Sequence, residues 1–371
     1  MGRAHLHLDR SLPLAAQAHK GHNRWHPDIP AALEVEPGTE VEIQCLDPLD
    51  GQIKPDMVHA DLAKMQSGRV HALAGPVAVK GAEPGDLLAV EICDISTIDR
   101  GFTVISPGFG FLRHRFAGPF LVHWKMEGGF ARSQQIPGVK IPGAPFMGVM
   151  GLAPSQELFD RIAAREADLL ARGGMVMPPN DDCAVPADPR IAGTGLRTIP
   201  PREVGGNMDI KQLVAGSTLY LPVYQNSALF SVGDGHFAQG DGESCGTAIE
   251  TASTFVARFH LLKGEAKRRG QTDPSFSNDG KRPSPALAAR PFYATTGNAV
   301  RKDGRQESEN LNVAAENAIL NMIDYLVTTK GLTPEQAYCL ISVACDLRIS
   351  QAVDVPNVIV SAVLPTDIFE G

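Results

Sequence analysis

The amino-acid sequence predicts a mainly β protein, with a β-sandwich or barrel core and a smaller α/β part. Glycine and proline account for 37 and 28 of the 371 residues, which is typical of a chain with many short strands and tight turns. Two segments share one design, in which alternating apolar and polar residues flank a Pro-Gly pair: residues 33–45 around Pro37-Gly38, and residues 76–95 around Pro84-Gly85. We interpret both as hairpins, because Pro and Gly suit the two central positions of a type II turn. Residues 217–232 form a third β region.

Helices are few but have clear ends. Ser155 is a good N-cap for a helix that runs to about Arg172 and stops at Gly173. Apolar residues follow helical spacing from Leu311 to Leu326, and that helix should end before Gly331. A last helix should begin at Thr333-Pro334, because an N-cap threonine, a proline at the first helical position and a glutamine three residues later form a capping box.

These elements suggest three successive parts. Residues 1–172 are a β-rich N-terminal part with the Pro-Gly hairpins, and residues 173–206 are a long connecting loop rich in Pro, Gly and Asp. Residues 207–371 are a C-terminal β part that is followed by two helices. We expect the two β parts to pack closely against each other, so that they can form a single domain. Residues 272–285 are polar and predict an exposed loop.

Bulk composition excludes several classes of protein. A net charge of −8 and a pI near 5.8 give no electrostatic basis for binding nucleic acid. No apolar run reaches the ~18 residues that would span a membrane, and the first ten residues lack the apolar core of a secretory signal. We therefore expect a cytoplasmic protein. Its six scattered cysteines, with no C-x-x-C pair, should be reduced.

The densest group of chemically useful side chains lies in residues 233–243, directly after a strand-like stretch. These eleven residues hold four glycines, three carboxylates, one imidazole and one carboxamide. Asp234 and His236 are two residues apart, so in an extended strand they project to the same face. Carboxylates and an imidazole can hold a divalent metal or move protons. A polar hairpin turn is the alternative interpretation, because Gly-Asp-Gly is also common turn chemistry.

Other candidate sites are weaker. Asn207 and Asp209 follow a Gly-Gly pair and could contact a ligand or metal, but taken alone this segment favours a turn with an Asx cap. His22 and His26 have helical zinc spacing, but Pro27 disfavours the α region at His26, so pocket lining or plain packing is favoured. Cys345 faintly resembles the thiol nucleophile of nitrilase-type amidases, although a buried structural thiol is favoured. The chain contains no G-x-S-x-G, Walker A or Rossmann glycine pattern.

Taken together, the motifs identify a known family. They lie at residues 22–28, 51–53, 81–86, 141–142, 148–151, 205–209, 220–223 and 233–246. In this order and over nearly its full length, the chain resembles the acetamidase/formamidase family; the segment from Gly233-Asp234 to Gly242-Glu243 is the most specific piece. The resemblance implies hydrolysis of a short, neutral amide to the acid and ammonia, a homo-oligomer and a divalent metal. Zinc is the expected metal and calcium the alternative.

The resemblance also implies site residues. By matching position, the site would contain Asp234, His236, Gln239, Asp241, Glu243, Asn207 and Asp209, with Asp47 and Gln52 lining the pocket. Our working hypothesis distributes roles as follows: Asp234, His236, Asp209 and Asp241 as metal ligands; Glu243 as general base, with Asp234 and His236 completing the catalytic group; and Asn207, Gln239, Asp47 and Gln52 as substrate contacts. The alternative from another class is a non-catalytic protein that binds or senses a small amide or a metal.

Overall fold

Two large β-sheets, a three-stranded sheet covered by helices and a two-stranded sheet make up the computed structural model, which describes residues 2–280 and 288–370. The strands are β1 (Ala4–His7), β2 (Gly21–His22), β3 (Arg24–Trp25), β4 (Leu33–Val35), β5 (Glu40–Cys45), β6 (Leu73–Val79), β7 (Leu87–Thr97), β8 (Arg100–Ile105), β9 (Phe120–Glu127), β10 (Phe130–Arg132), β11 (Ile141–Pro142), β12 (Phe146–Leu152), β13 (Leu196–Arg197), β14 (Gly205–Asn207), β15 (Ser217–Pro222), β16 (Phe230–His236), β17 (Glu250–Thr251), β18 (Ser253–Leu262), β19 (Ser275–Asn278), β20 (Phe292–Asn298), β21 (Asp346–Gln351) and β22 (Ile359–Pro365). The α-helices are α1 (Gln156–Ala171), α2 (Pro189–Ala192), α3 (Glu265–Arg269), α4 (Leu311–Lys330) and α5 (Pro334–Ala344).

The two large sheets combine strands from distant parts of the chain. One has six strands in the order β1-β5-β18-β7-β15-β19. The other has eleven: its main path runs β11-β10-β9-β8-β17-β16-β12-β14, and β6 pairs with β16, β2 and β4. Strand β5 alternates between buried and half-buried residues, because one face packs inward against the other sheet. The mainly β prediction is confirmed in its sandwich form, and the described residues form no closed barrel.

The predicted Pro-Gly hairpins are wrong in their pairing. Strand β4 pairs with β6 in the larger sheet, whereas β5 pairs with β1 and β18 in the smaller one. Strand β6 likewise belongs to the larger sheet and β7 to the smaller. Gly38 and Gly85 have φ of 85° and 93°, so each turn forms as its sequence predicts. Each turn carries the chain from one sheet to the other, because a local turn signal does not decide which distant strand supplies the hydrogen bonds.

The three predicted helices are confirmed, the first two at both ends and the last at its start. The Ser155 hydroxyl accepts the Leu158 N–H at 3.2 Å at the start of α1, and Gly331 ends α4 with a φ of 67°. The capping box of α5 is complete, since Thr333 and Gln336 each bond the other's backbone N–H with a side-chain oxygen. Among the described residues, none of the helices is long and apolar enough to cross a membrane.

The smaller α/β part consists of α4 and α5 against the antiparallel sheet β20-β22-β21, and it shares a hydrophobic core with strands β8 to β11 of the larger sheet. The α5–β21 junction contacts the loop after β16: Gly240 N–H donates to the Ser342 carbonyl at 2.9 Å, and Leu347 N–H to the Asp241 carbonyl at 3.0 Å. All six cysteines are free thiols, as predicted. The predicted exposed loop 272–285 instead contains β19, paired with β15, and its residues 281–285 lie outside the described residues.

Candidate active site

The end of β16 carries two ionisable side chains into the interior. Asp234 and His236 are 3% and 0% exposed, and β12 and β17 pair with β16 on either side of them. Nε2 of His236 lies 3.2 Å from Oδ1 of Asp234, so the predicted shared face of this strand is confirmed. Asp234 has a φ of 59°, a strained conformation for a residue other than glycine, and such strain is concentrated at functional sites.

A third carboxylate comes from the neighbouring strand. Glu250 is paired with His236 in the antiparallel register between β16 and β17, and its Oε2 lies 3.0 Å from Nε2 of the imidazole. Its other oxygen accepts the Ala248 N–H at 2.8 Å, which fixes the side chain. Glu250 is only 2% exposed. Sequence reasoning missed this residue, because the pairing of β17 with β16 leaves no local signal.

Gln239 determines which ring nitrogen of His236 carries a hydrogen. The amide Nε2 of Gln239 donates to the Asp209 carbonyl at 2.9 Å, so its Oε1 must face Nδ1 of His236, 3.0 Å away. An amide oxygen only accepts, so Nδ1 carries a hydrogen. Nε2 of His236 can then donate a proton to Asp234 or Glu250 or, when a cation is bound, direct its lone pair to that cation.

Two more carboxyl groups approach from loops. Asp209 and Glu243 also have positive φ, at 50° and 41°, and their carboxyl oxygens lie within 4.8 Å of each other and of the His236 imidazole. Gly148 makes this approach possible, because a Cβ there would lie 2.5 Å from oxygens of both Asp209 and Asp234. The structure thus brings together Asp234, His236, Gln239, Asp209 and Glu243. Asn207 lies at the end of β14, two residues before Asp209.

His71 is a further member of the cluster that sequence reasoning missed. It lies just before β6, and its Nε2 is 3.8 Å from Oδ2 of Asp234. Nothing in its surroundings in the sequence distinguishes it from an ordinary buried histidine. Burial lowers the pKa of His71, although the nearby Asp234 carboxylate opposes that shift.

The pKa values of the four carboxyl groups shift in different directions: three are raised, and that of Asp234 is lowered. Burial raises the pKa of Glu250 to about 8 and that of Asp209 to about 6, and for Asp209 the charge of Asp234 adds to the effect. Burial, followed by the charge of Asp209, also raises the pKa of Glu243 well above its usual range. Burial opposes ionisation of Asp234 as well, but the two histidines outweigh it and lower the pKa of that carboxyl. Such divergent shifts within one enclosed site are typical of catalytic centres.

The residues present fit a divalent cation. Nε2 of His236, Oε2 of Glu250 and Oδ1 of Asp209 are buried and make no hydrogen bond to the described residues. Oδ1 of Asn207 is in the same situation. Two groups of potential ligands share His236, one with Asp234 and Glu250 and the other with Asp209 and Glu243. Several carboxylates around one imidazole would repel each other unless protons or a cation neutralised them.

Comparison with known proteins decides the family. The family model described as "Acetamidase/Formamidase family" matches residues 7–371. The chain belongs to this family. It is accordingly a hydrolase of the amidase class, and the non-catalytic alternative is not supported.

Individual relatives agree with this assignment. The amidase is 37% identical to a formamidase of Methylophilus methylotrophus, over 94% of this chain and 89% of that protein. It is 36% identical to an acetamidase of Mycolicibacterium smegmatis, over 90% and 88%. Among solved structures, a gamma lactamase from Delftia acidovorans superposes with a TM-score of 0.93 at 37% identity, covering 100% of this chain and 94% of the other.

Asp241 lies outside the carboxylate cluster of the amidase. Its carboxylate accepts a hydrogen bond from Gln212 at 3.0 Å and lies 3.8 Å from Nζ of Lys211. Lys211 is buried and pairs with Asp346, whose Oδ1 also accepts the Asp241 N–H at 3.1 Å. The positive φ values of Gly242 and Glu243, 103° and 41°, turn the chain between Asp241 and the cluster. Asp241 therefore connects the site loop to the α5–β21 junction.

Asp47 and Gln52 lie along a different part of the amidase. Both line a cleft of about 900 Å³ that also reaches Glu250. Asp47 accepts the N–H groups of Leu49 and Gly51 at 3.0 and 3.1 Å, and Gln52 bonds the backbone of Gln66. Burial raises the pKa of Asp47 to about 6, although those two backbone bonds oppose the shift. Both side chains thus shape a loop at the edge of this cleft.

The remaining sequence candidates are structural. His22 is 1% exposed, and its two ring nitrogens contact the Arg24 carbonyl and the Ser231 hydroxyl at 2.6 and 2.7 Å. His26 accepts the Asp28 N–H at 3.1 Å through Nδ1. Cys345 is buried, and burial raises the pKa of its thiol, so the thiolate that a nucleophile needs is disfavoured.

Proposed function

We propose that this amidase hydrolyses a short-chain aliphatic amide, formamide or acetamide, to the carboxylic acid and ammonia at a site that holds a divalent metal. The observation that carries the proposal is the enclosed cluster of four carboxyl groups around the His236 imidazole in a member of this family. The names of the Methylophilus and Mycolicibacterium relatives support the substrate class.

Asp234, His236 and Glu250 are the proposed ligands of the metal. All three are buried, and their ligand atoms lie within 4.8 Å of one another. The imidazole favours zinc, because calcium prefers sites made of oxygen atoms only. When bound, such an ion supplies Lewis acidity that stabilises negative charge developing on a substrate oxygen. Asp209, whose carboxyl group lies within 4.8 Å of the His236 imidazole, is the candidate for a fourth ligand.

Asp209 and Glu243 are the proposed proton-transfer pair. Two buried carboxyl groups so close together share a proton, so one is an acid while the other is a base. The carboxylate accepts a proton from a water molecule while the oxygen of that water attacks the amide carbon. The carboxylic acid then gives its proton to the nitrogen as the C–N bond breaks, releasing ammonia. This retains Glu243 as the proton acceptor of the original hypothesis and gives Asp209 a second role.

A small substrate suits the space around these groups. A Cβ at Gly148 would lie 2.5 Å from oxygens of both Asp209 and Asp234, so little room is left on that side. A short amide offers few contacts, so selection should depend on pocket size. A γ-lactam is the natural comparison substrate, since the Delftia relative is named a gamma lactamase. The homo-oligomeric state and cytoplasmic location stay predictions.

The test is ammonia release by purified protein, with formamide, acetamide and a γ-lactam (ring-opened product for the last), before and after treatment with a chelator. Elemental analysis of the same sample identifies the metal. We expect turnover of the short amides, loss of it on chelation, and recovery when zinc is returned. Turnover that survives complete removal of metal would reject the metal site, and turnover of the lactam alone would reject the substrate class.

A further inference from the structure

His71 is the second imidazole of the cluster. Its neighbours Asp234, Asp209, Glu243 and Glu250 offer oxygen atoms, whereas His71 offers a ring nitrogen. The side chain of His71 is 11% exposed, compared with 4% for Asp234, 0% for His236 and 16% for Glu243. His71 and Glu243 therefore lie at the less buried side of the group.

Thr198 contacts Nδ1 of His71, and this contact favours one tautomer of the ring. The Thr198 hydroxyl oxygen accepts the backbone N–H of His71 at 2.6 Å and lies 3.2 Å from Nδ1 of the same residue. Thr198 is fully buried, so its hydroxyl hydrogen needs an acceptor. Nδ1 can be that acceptor only when it carries no hydrogen. The neutral ring then carries its hydrogen on Nε2, the nitrogen that faces the cluster.

This N–H is available to a substrate. Nε2 of His71 is 3.8 Å from Oδ2 of Asp234, which is too long for a hydrogen bond. An amide substrate presents a carbonyl oxygen, which accepts and never donates, and this oxygen would be repelled by the carboxylates around it. A neutral N–H at the less buried side is the group that binds such an oxygen without adding a charge.

We propose that His71 is a further catalytic residue, which donates from Nε2 to the carbonyl oxygen of the substrate amide, and that Thr198 is its positioning residue. The proposal rests on the proposed function. The donated hydrogen bond strengthens as the carbonyl oxygen gains negative charge during attack by water, so it acts mainly on kcat.

Two matched pairs of variants test the proposal in the metal-loaded protein. His71→Ala removes the donor, whereas His71→Gln can place an amide N–H near the position of Nε2. Thr198→Val removes the tautomer lock, and Thr198→Ser retains the hydroxyl. We expect kcat to fall by about 10²–10³-fold in His71→Ala with little change in KM. His71→Gln should recover at least about tenfold of that loss, and Thr198→Ser should stay close to the wild type.

Two measurements separate this role from a structural one. Nitrogen NMR of histidine-labelled protein, with His71 assigned by comparison with His71→Gln, should place the ring hydrogen on Nε2 in the wild type and in Thr198→Ser. Elemental analysis should find unchanged metal content in His71→Ala. A hydrogen on Nδ1, loss of metal, unchanged kcat in His71→Ala, or no recovery by His71→Gln would each overturn the proposal. Failure of the proposed function is a different result, because the wild type would then release no ammonia while the tautomer measurement still stands.

Discussion

Oε1 of Gln239 lies 3.0 Å from Nδ1 of His236, and this contact leaves Nε2 as the only ring nitrogen that can bind a cation. Gln239→Leu removes the acceptor, so the imidazole can rotate or change tautomer. Loss of such an outer contact to a ligand histidine costs about 10–100-fold in metal affinity. We expect a decrease of that size, measured as the zinc dissociation constant in competition with a chelator.

Gln239→Glu is the control for this prediction. A glutamate keeps an acceptor for Nδ1 of His236 but cannot donate to the Asp209 carbonyl. The Gln239→Glu protein should therefore bind zinc more tightly than the Gln239→Leu protein does. Equal affinities for wild type and Gln239→Leu would show that the contact does not orient the imidazole.

The metal-free amidase should lose stability as the pH rises. The folded state raises the pKa of Glu250 from 4.5 to about 8, so between these values the folded protein binds more protons than the unfolded chain. The free energy of unfolding then falls with increasing pH, with a slope of up to about 1.4 kcal/mol per pH unit for this one group. Denaturant unfolding of the chelated protein checks the sign of this slope. The measurement covers several pH values between roughly 5 and 8, the window set by the two pKa values.

Glu250→Gln tests the origin of that slope. The neutral amide cannot titrate, so the chelated variant should lose stability less steeply than the chelated wild type over the same range. Asp234 does not contribute in this window, because its pKa is lowered and its effect appears only at acid pH. Identical slopes for variant and wild type would assign the pH dependence to other groups.

Gly148 is the position where a single methyl group should do most damage to the site. In Gly148→Ala the new Cβ would stand 2.5 Å from Oδ1 of Asp209 and 2.5 Å from Oδ2 of Asp234, which is well inside van der Waals contact. We expect a loss of about 1–3 kcal/mol in stability from overpacking and a fall in kcat/KM of at least about 100-fold, because a small displacement of catalytic groups is costly.

Gly118→Ala is the matched control, since a Cβ there meets nothing within 4 Å. Its activity and stability should stay close to those of the wild type. Steady-state kinetics and thermal unfolding of the two variants give the comparison. A Gly148→Ala protein as active as Gly118→Ala would mean that the carboxyl groups move aside freely.

The elements with local signals could be predicted from the sequence. The N-caps Ser155 and Thr333 accept hydrogen bonds from residues three positions along the chain, and α4 stops at Gly331 through a positive φ, so each of these helix ends depends on neighbouring residues only. The two Pro-Gly turns were also visible. The sheet that each strand enters was not, because β5 finds its partners at residues 4–7 and 253–258, far away in the chain.

The same division applies to the site. Asp234 and His236 could be paired in advance because a strand places alternate residues on one face. Glu250 depends on the register between β16 and β17, and His71 depends on its contact with Thr198, 127 residues away. Asp241 is the opposite case, because it is predicted to be in the site but lies outside the carboxylate cluster. It is two residues from Glu243, but the positive φ of Gly242 turns its side chain toward Lys211 and Gln212.

Asp241 and Glu243 lie in one loop, so substitutions at these two positions can test the proton-transfer pair. Glu243→Gln keeps the shape of the side chain but cannot accept a proton from water. We expect kcat to fall by about 10²–10⁴-fold, the usual contribution of general acid–base catalysis, while the protein stays folded and keeps its metal. Ammonia release under saturating substrate, with elemental analysis of the same samples, provides both readings.

Asp241→Asn is the control for the loop itself. Its amide can still contact Gln212, and its backbone bonds to Asp346 and Leu347 remain, so the loop keeps its anchor on the α5–β21 junction. Activity should stay within about tenfold of the wild type, because the lost charge acts on Lys211 and not on the substrate. If Asp241→Asn were as inactive as Glu243→Gln, loop placement would explain both losses. If Glu243→Gln alone retained full turnover, Asp209 would have to accept the proton without it.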